Sequence, residues 1–335
     1  MRVGLNPNKD LTLETSSYVH QVVIPVYIPN QEGYFKDSFK ILKICLESLF
    51  NTVHDKTFIT IVNNGSCHEV IDYLDELYSE NKIHELIHTE NIGKLNAIIK
   101  GLVGNTIELV TISDADVLFL PDWQWETTRI FKEVPKAGMV GIVPQFKMYE
   151  AYCGNVIFEN LFNKKLKFLP VKNPDALKAF YKSIGWKSDY NQDYLKYNLG
   201  IEINSNLNVL IGSGHFIATY KKDIFQEITS YIGYKLGGVS ETYLDKAPLL
   251  KDYWRLTTYD NYAFHMGNVF ENWMIANNKS QNNHNLISNF KINTPSNSIL
   301  YFIKNRLFVK FISIPFLNKL FLKKMGLPKG MVNKY

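Results

Sequence analysis

Hydrophobic positions first organise at His20 to Ile28 (HQVVIPVYI), a nearly unbroken β-branched run that predicts a strand buried on both faces. Phe35, Phe39, Leu42, Leu46 and Leu49 follow at spacings of four, three, four and three, the stripe of an amphipathic helix. Thr57 to Val62 (TFITIV) predicts a second strand, ending in the turn-prone Asn63-Asn64-Gly65-Ser66. Helical spacing returns at Val70, Ile71, Leu74, Leu77 and Tyr78. A short strand at Glu85 to His88 precedes Asn91-Ile92-Gly93 and a helix over Lys94 to Leu102. The apolar run Ile107 to Ile112 (IELVTI) predicts another buried strand, and it leads directly into Ser113-Asp114-Ala115-Asp116. Ala137 to Val143 predicts one more.

Strands alternating with helices predict an α/β protein with a mostly parallel sheet covered on both faces. Ligands in such sheets sit in the crevice beyond the carboxyl ends of the strands. Three polar clusters, Asn63-Asn64, Asn91 to Gly93 and Asp114 to Asp116, follow the ends of apolar runs and so converge on one edge. Residues 146–208 carry little periodicity. Val209 to Tyr220 (VLIGSGHFIATY) returns as a strand whose Gly212 and Gly214 admit close approach. The polar stretch Asn277 to Asn285 reads as a linker.

Charge changes the picture more than composition does. The net charge is +5, yet residues 272–335 hold nine Lys, one Arg and no Asp or Glu. The body is therefore mildly acidic and the tail strongly basic, which points to a polyanionic surface as partner. Ile299 to Leu327 interleaves Lys and Arg with bulky apolar residues, and Pro315 divides it into two predicted short helices. Such a segment suits anionic lipid, while the bland reading is a helix packed on the body with a solvated basic face. Three widely spaced cysteines, Cys45, Cys67 and Cys153, form no CxxC pair, so neither a disulfide framework nor structural zinc is expected. No secretory leader is expected in Met1 to Asn30, and no run reaches the roughly 18 apolar residues of a membrane span.

Asp114 and Asp116 carry the sharpest chemistry. Positions i and i+2 of an extended segment project to one side, so both carboxylates can face one cation. Hard oxygen ligands suit Mg²⁺ or Mn²⁺, with substrate phosphates completing the shell. A solvated acidic turn is the bland alternative, and the position at the end of a buried strand favours the metal. Asn63 and Asn64 either form a plain turn or hold a base or ribose. Gly93 either relieves a backbone angle or frees room for a ligand, and Lys94 either meets solvent or phosphate. His265 between apolar neighbours is by default a packed or surface residue rather than a ligand. Glu241 and Asp245 are by default surface carboxylates, and they are candidates wherever an acceptor hydroxyl needs a general base.

In this order the features resemble the family 2 glycosyltransferases, inverting enzymes of the GT-A fold. The family's opening strand is similar to Val22-Val23-Ile24-Pro25-Val26-Tyr27, its next helix to Leu42 to Phe50, and its nucleotide turn to Ile61 to Ser66. Glu90 to Ala97 resembles its N-x-G-x-x-x-A run, and Ile112 to Asp116 with Leu120-Pro121-Asp122 resembles its metal motif. Two departures stand out: members usually carry Asp where this chain has Asn63 or Asn64, and the family's E-D pair is absent. The resemblance implies a Rossmann-like GT-A domain over residues 1–270, with a donor half of about 18–145 and an acceptor half of about 146–270, followed by a basic helical C-terminal extension at 271–335.

It further implies a nucleotide-sugar site of Pro25, Tyr27, Asn63, Asn64, Asn91, Gly93, Lys94, Ser113, Asp114 and Ala115. The metal, Mn²⁺ or Mg²⁺, would be held by Asp114 and Asp116 with His265 as third ligand, and Asp245 would be the base with Glu241 second. A UDP-sugar is the first expectation for the donor and a saccharide, lipid-linked in similar enzymes, for the acceptor. The expected setting is bacterial capsule, lipopolysaccharide or exopolysaccharide assembly, in the cytoplasm on the inner face of the membrane. The competing readings are an inactive nucleotide-sugar-binding relative and a nucleic-acid-binding protein that uses the basic tail. The acidic body and largely aliphatic and Phe content of the tail count against nucleic acid.

Overall fold

The structure, a computed structural model, describes residues 4–12, 16–226, 231–236, 242–275 and 290–335. Strand β1 (His20–Val26) lies between β2 (Thr57–Asn64) and β4 (Leu109–Ser113), with β3 (Glu85–Thr89) beyond β2, and all four run parallel. The apolar run of β1 is continuous because both of its faces are covered. Val22, Ile24 and Val26 pack with helices α1 (Ser38–Phe50) and α2 (His68–Ser79), while Val23 packs with α3 (Lys94–Leu102) on the other side.

After β4 the chain forms β5 (Val117–Phe119), α4 (Trp123–Glu133) and β6 (Ala137–Gly141). Helix α5 (Gly154–Asn160), strand β7 (Leu166–Pro170), helix α6 (Pro174–Ser183), strands β8 (Tyr197–Asn204), β9 (Leu207–Ile211) and β10 (Ile217–Lys221) and helix α7 (Thr242–Leu250) follow. Among the described residues the last strands are β11 (Trp254–Thr258) and β12 (Ala263–His265). One ten-stranded sheet results, in the order β3-β2-β1-β4-β10-β6-β11-β9-β8-β7, beside a two-stranded β12-β5 pair. It is mixed: β10 runs antiparallel to both β4 and β6, β11 is parallel to β6, and β9, β8 and β7 close the sheet as antiparallel neighbours. The parallel arrangement expected from sequence thus describes the four N-terminal strands and the β6–β11 pair.

Two stretches differ from their sequence pattern. Residues 146–208, which lack periodicity, build α5, β7, α6 and β8, elements too short to show a repeat. The single strand expected over Val209 to Tyr220 divides into β9 and β10, because Gly212 to Phe216 leave the sheet between them. The linker expected at Asn277 to Asn285 lies outside the described residues.

The C-terminal residues pass through α8 (Ser298–Phe302), a π-helical turn (Ile303–Leu307), α9 (Phe308–Ile312) and α10 (Pro315–Lys324). Pro315 opens α10 at a position where its missing N–H costs nothing. Phe308, Phe321, Leu322, Met325, Leu327, Val332 and Tyr335 bury themselves in the same core as α5 and strands β7 to β9. Lys304 is buried beside them and pairs with Glu159 and with Asp252 Oδ2, the latter at 3.0 Å. The opposite side keeps Phe302, Leu307, Phe311, Phe316 and Leu320 exposed. Among the described residues no helix is long and apolar enough to cross a membrane.

Candidate active site

The carboxyl ends of β1, β2 and β4 open into a cleft of about 490 Å³, within the size range of small-molecule sites. Its walls divide by chemistry. Tyr27, Tyr34 and Phe35 supply aromatic surface, while Asn64, Asn91, Lys94, Asp114 and Asp116 supply polar groups; Pro25, Ala115 and Ile28 also line it. Tyr27 and Phe35 meet edge to face, 5.9 Å between centroids.

The turn after β2 is built on its two asparagines. Asn63 is buried, its Oδ1 accepting from Ser66 N at 3.0 Å and its Nδ2 facing His88 Nδ1 at 2.9 Å. Asn64 Oδ1 accepts from Ile92 N at 2.9 Å, which ties this turn to the Asn91–Gly93 loop. A side chain on Gly65 would meet the Asn91 backbone nitrogen at 2.8 Å, so the two loops are packed together. Of the pair, Asn64 reaches the cleft and Asn63 holds the turn.

Helix α3 then brings Lys94 in. Gly93 precedes it at φ +90 and ψ 150, and a Cβ there would lie 2.7 Å from Tyr234 O. Lys94 N donates to Lys235 O at 2.9 Å, and Asn96 clamps Ile232 by accepting from its N–H and donating to its carbonyl. Residues 231–236 are thereby fastened across the start of α3, where Lys235 and Leu236 form part of the cleft wall.

The acidic pair follows β4. Ser113 is fully buried and its Oγ donates to the Asp114 carbonyl at 2.9 Å, so it braces the turn from behind. Asp114 N donates to Phe216 O, and the Asp116 carbonyl accepts from Met266 N, both at 2.8 Å. Lys94 Nζ stands 2.5 Å from Asp114 Oδ1. Asp116 Oδ2 faces His265 Nε2 at 3.4 Å, and Asp116 Oδ1 is buried with no hydrogen-bond partner among the described residues. Loss of water pushes the Asp116 carboxyl above the usual range, and Asp114 adds to this against the opposing pull of His265 and Lys94.

His265 reaches Asp116 because β12 pairs with β5, setting His265 opposite Val117. Its Nδ1 is held by Ser183 Oγ at 2.9 Å, which leaves Nε2 as the nitrogen turned toward Asp116. Among the described residues no three His, Cys, Asp or Glu side chains converge closely enough to hold a metal unaided. The donor set nevertheless fits a hard divalent cation: two carboxylates two residues apart, one unpartnered buried oxygen, and a neighbouring imidazole, with phosphate oxygens left to complete the shell.

Asp245 lies outside the lining of this cleft. Its Oδ1 accepts from Arg255 Nη2 at 2.7 Å and its Oδ2 faces His215 Nδ1 at 3.2 Å. Arg255 is almost fully buried and also donates to the carbonyls of Ser213 and Ala151. Glu241 lies outside the described residues. The sequence pattern gave no site role to Tyr34, Lys235, Gly267 and Asn268 in the cleft, to Ser183 behind His265 or to His215 against Asp245, and Phe35, which sits in a short turn just before α1, counted only toward the helical stripe. Only Gly267 and Asn268, two and three residues past His265, carried a positional hint.

A family model described as Glycosyl transferase family 2 matches residues 22–227, more than half of the chain. No curated protein matches it. Among solved structures, S. aureus TarS 1-349 in complex with UDP-GlcNAc is similar over 77% of this chain and 61% of that one, at 14% identity and a TM-score of 0.44. The present chain thus spans about three fifths of the TarS chain's length. The mannosyltransferase PcManGT from Pyrobaculum calidifontis, in complex with GDP-Man and Mn²⁺, is similar over 93% of this chain and 74% of that one, at 14% identity and a TM-score of 0.46.

Proposed function

Because the chain belongs to glycosyl transferase family 2, whose members use nucleotide-sugar donors, we propose that it moves a sugar from a nucleoside-diphosphate sugar to an acceptor hydroxyl with inversion. One observation carries this reading: a single cleft joins aromatic surface to the Asp114–Asp116 pair, in which Asp116 Oδ1 is buried without a partner among the described residues. A nucleotide matches that division, with its base toward Tyr27, Tyr34 and Asn64 and its diphosphate toward Lys94 and the carboxylates. Asp114, Asp116 and His265 would hold Mn²⁺ or Mg²⁺, which supplies positive charge against the diphosphate.

The residues of the chain then have separate tasks. Lys94 gives a cation to the phosphates, exchanging its contact with Asp114. The acceptor oxygen attacks the anomeric carbon from the face opposite the diphosphate, a bond to that oxygen forms, and the bond to the diphosphate oxygen breaks. The base that takes the hydroxyl proton is Asp245 on the family resemblance; its carboxylate is held by Arg255 and faces His215 outside the cleft lining. A UDP-sugar is the first donor to test. The acceptor is a saccharide on a lipid carrier of a bacterial surface polysaccharide, reached at an anionic membrane through the basic, apolar C-terminal face.

The test is calorimetric titration of the protein with UDP, GDP, dTDP and CMP, with Mn²⁺ present and then chelated. One nucleotide is expected to bind only with metal, and Asp116→Ala is expected to abolish that binding without unfolding the protein. A folded protein that binds none of the four would sink the proposal.

A further inference from the structure

A second cleft, of about 530 Å³, adjoins the first. The two share Gly267 and Asn268 as a common lip. Its walls come from the end of α6 (Ala179, Lys182, Ser183) and from the chain after β12, including Phe264, Glu271 and Trp273. One imidazole joins the two spaces: His265 Nε2 faces Asp116 in the first, and its Nδ1 is held by Ser183, which lines the second. The Gly267 part of the lip carries no side chain. Gly267 sits at φ +71, where a side chain would be strained and its Cβ would come 3.2 Å from Ser183 O.

This cleft combines an indole with charged and polar side chains. Trp273 is 40% exposed, and its ring stands edge-on to Phe264 at 5.8 Å. Its orientation is fixed at the polar end, because Nε1 donates to Glu271 Oε2 at 3.0 Å, while Lys182 Nζ approaches Glu271 Oε1 at 3.5 Å. An indole so held offers a flat apolar face. A pyranose presents the matching shape, a patch of C–H bonds on one side and hydroxyls around its edge. Lys182, Glu271 and Asn268 line the same cleft as charged and polar partners for those hydroxyls, while Ser183 Oγ is spent on the Phe180 carbonyl and His265.

We propose that this second cleft is the acceptor saccharide site, with Trp273 as its stacking platform and Gly267 as the open lip across which the acceptor hydroxyl reaches the donor. The proposal rests on the glycosyltransferase reading of the first cleft. Its chemistry is that of binding only, so Trp273 acts through affinity for the acceptor and not through the donor.

The test uses an array of immobilised oligosaccharides probed with the full chain, loaded with Mn²⁺ and whichever nucleoside diphosphate binds by titration. Wild type is expected to bind a subset of glycans. Trp273→Ala should weaken that binding at least tenfold, Trp273→Phe should keep it within about threefold because an aromatic face remains, and both should retain wild-type nucleotide affinity. Equal glycan binding by Trp273→Ala overturns the proposal, and so does a nucleotide-loaded wild type that binds no glycan. Trp273-dependent glycan binding in a protein that binds no nucleotide would uphold this cleft and sink the donor reading instead.

Discussion

At the scale of single residues, Asp245 has both carboxylate oxygens engaged, one by Arg255 and one facing His215. Holding a buried guanidinium, which the structure shows, and accepting a proton, which is proposed, make different demands and can be separated. Arg255 is 1% exposed and its Nε has no partner among the described residues, so removing the Asp245 charge leaves a buried cation with two carbonyls and the Tyr152 ring but without the carboxylate that pairs with it. Breaking a buried pair from one side costs about 3–5 kcal/mol, and Asp245→Asn should lower the melting temperature accordingly. Removing a general base typically costs about 10²- to 10⁴-fold in rate. Asp245→Asn should therefore lose at least that much sugar transfer, measured well below its own melting temperature, while metal-dependent nucleotide binding persists. His215→Ala keeps the Arg255 pair and should leave stability within about 1 kcal/mol. If Asp245→Asn melts early yet transfers sugar at a near-normal rate, Asp245 is a structural partner of Arg255 and the base lies elsewhere. Nothing in the sequence marked Arg255, because a buried arginine on a strand leaves no periodic trace. Asp114 and Asp116 were legible since the buried strand before them made the acidic pair conspicuous.

At the scale of elements, the start of α3 does more than present Lys94. Its first backbone N–H is already spent on Lys235 O, and Asn96 in its first turn grips Ile232 at both backbone groups. Gly93 makes that contact possible, since it combines φ +90 with a close approach to Tyr234 O and Lys235. Placing an L side chain in such a backbone region costs on the order of 1–3 kcal/mol, and the Cβ would also press residues 234 and 235 away from the helix. Gly93→Ala should accordingly lower nucleotide affinity about tenfold and reduce the melting temperature by a few degrees. Titration calorimetry and thermal melts check both, and an unchanged affinity would show that Lys235 and Leu236 do not contribute to the donor site. The sequence located α3 and β1 to β4 well, because their apolar runs are long enough to display period and their ends coincide with polar clusters. It could not show that residues 231–236 cross over α3, since that contact depends on partners 136 positions apart, as Asn96 and Ile232 are. The division of Val209 to Tyr220 into β9 and β10 was hidden for a related reason. Gly212 and Gly214 signalled close approach, but only the tertiary structure shows the chain leaving one place in the sheet and re-entering between β4 and β6.

At the scale of the whole molecule, the C-terminal residues form a module with two apolar sides. One side is consumed by the body: Phe308, Phe321, Leu322 and Tyr335 join the core, and Lys304 is locked between Glu159 and Asp252. The other leaves Phe302, Leu307, Phe311, Ile314, Phe316 and Leu320 exposed, with Arg306, Lys310, Lys319, Lys323 and Lys324 exposed among them. With no acidic residue from position 272 onward, nothing on this segment offsets those cations. Each lysine or arginine near an anionic bilayer contributes about 1 kcal/mol, and the exposed aromatic and aliphatic groups can enter the acyl boundary. The module is docked rather than trailing, so a membrane that binds it also fixes the orientation of the body and its two clefts. Vesicles of phosphatidylcholine with about a third phosphatidylglycerol should therefore sediment the protein, whereas pure phosphatidylcholine should not, and high salt should release it. The double substitution Phe311→Asp and Phe316→Asp should cut vesicle binding at least tenfold with no change in melting temperature, because both side chains are more than half exposed. Binding that survives this change would move the membrane contact off this face. A wild type that ignores anionic vesicles but dimerises through Phe311 and Phe316 would instead assign the face to a second copy of the chain.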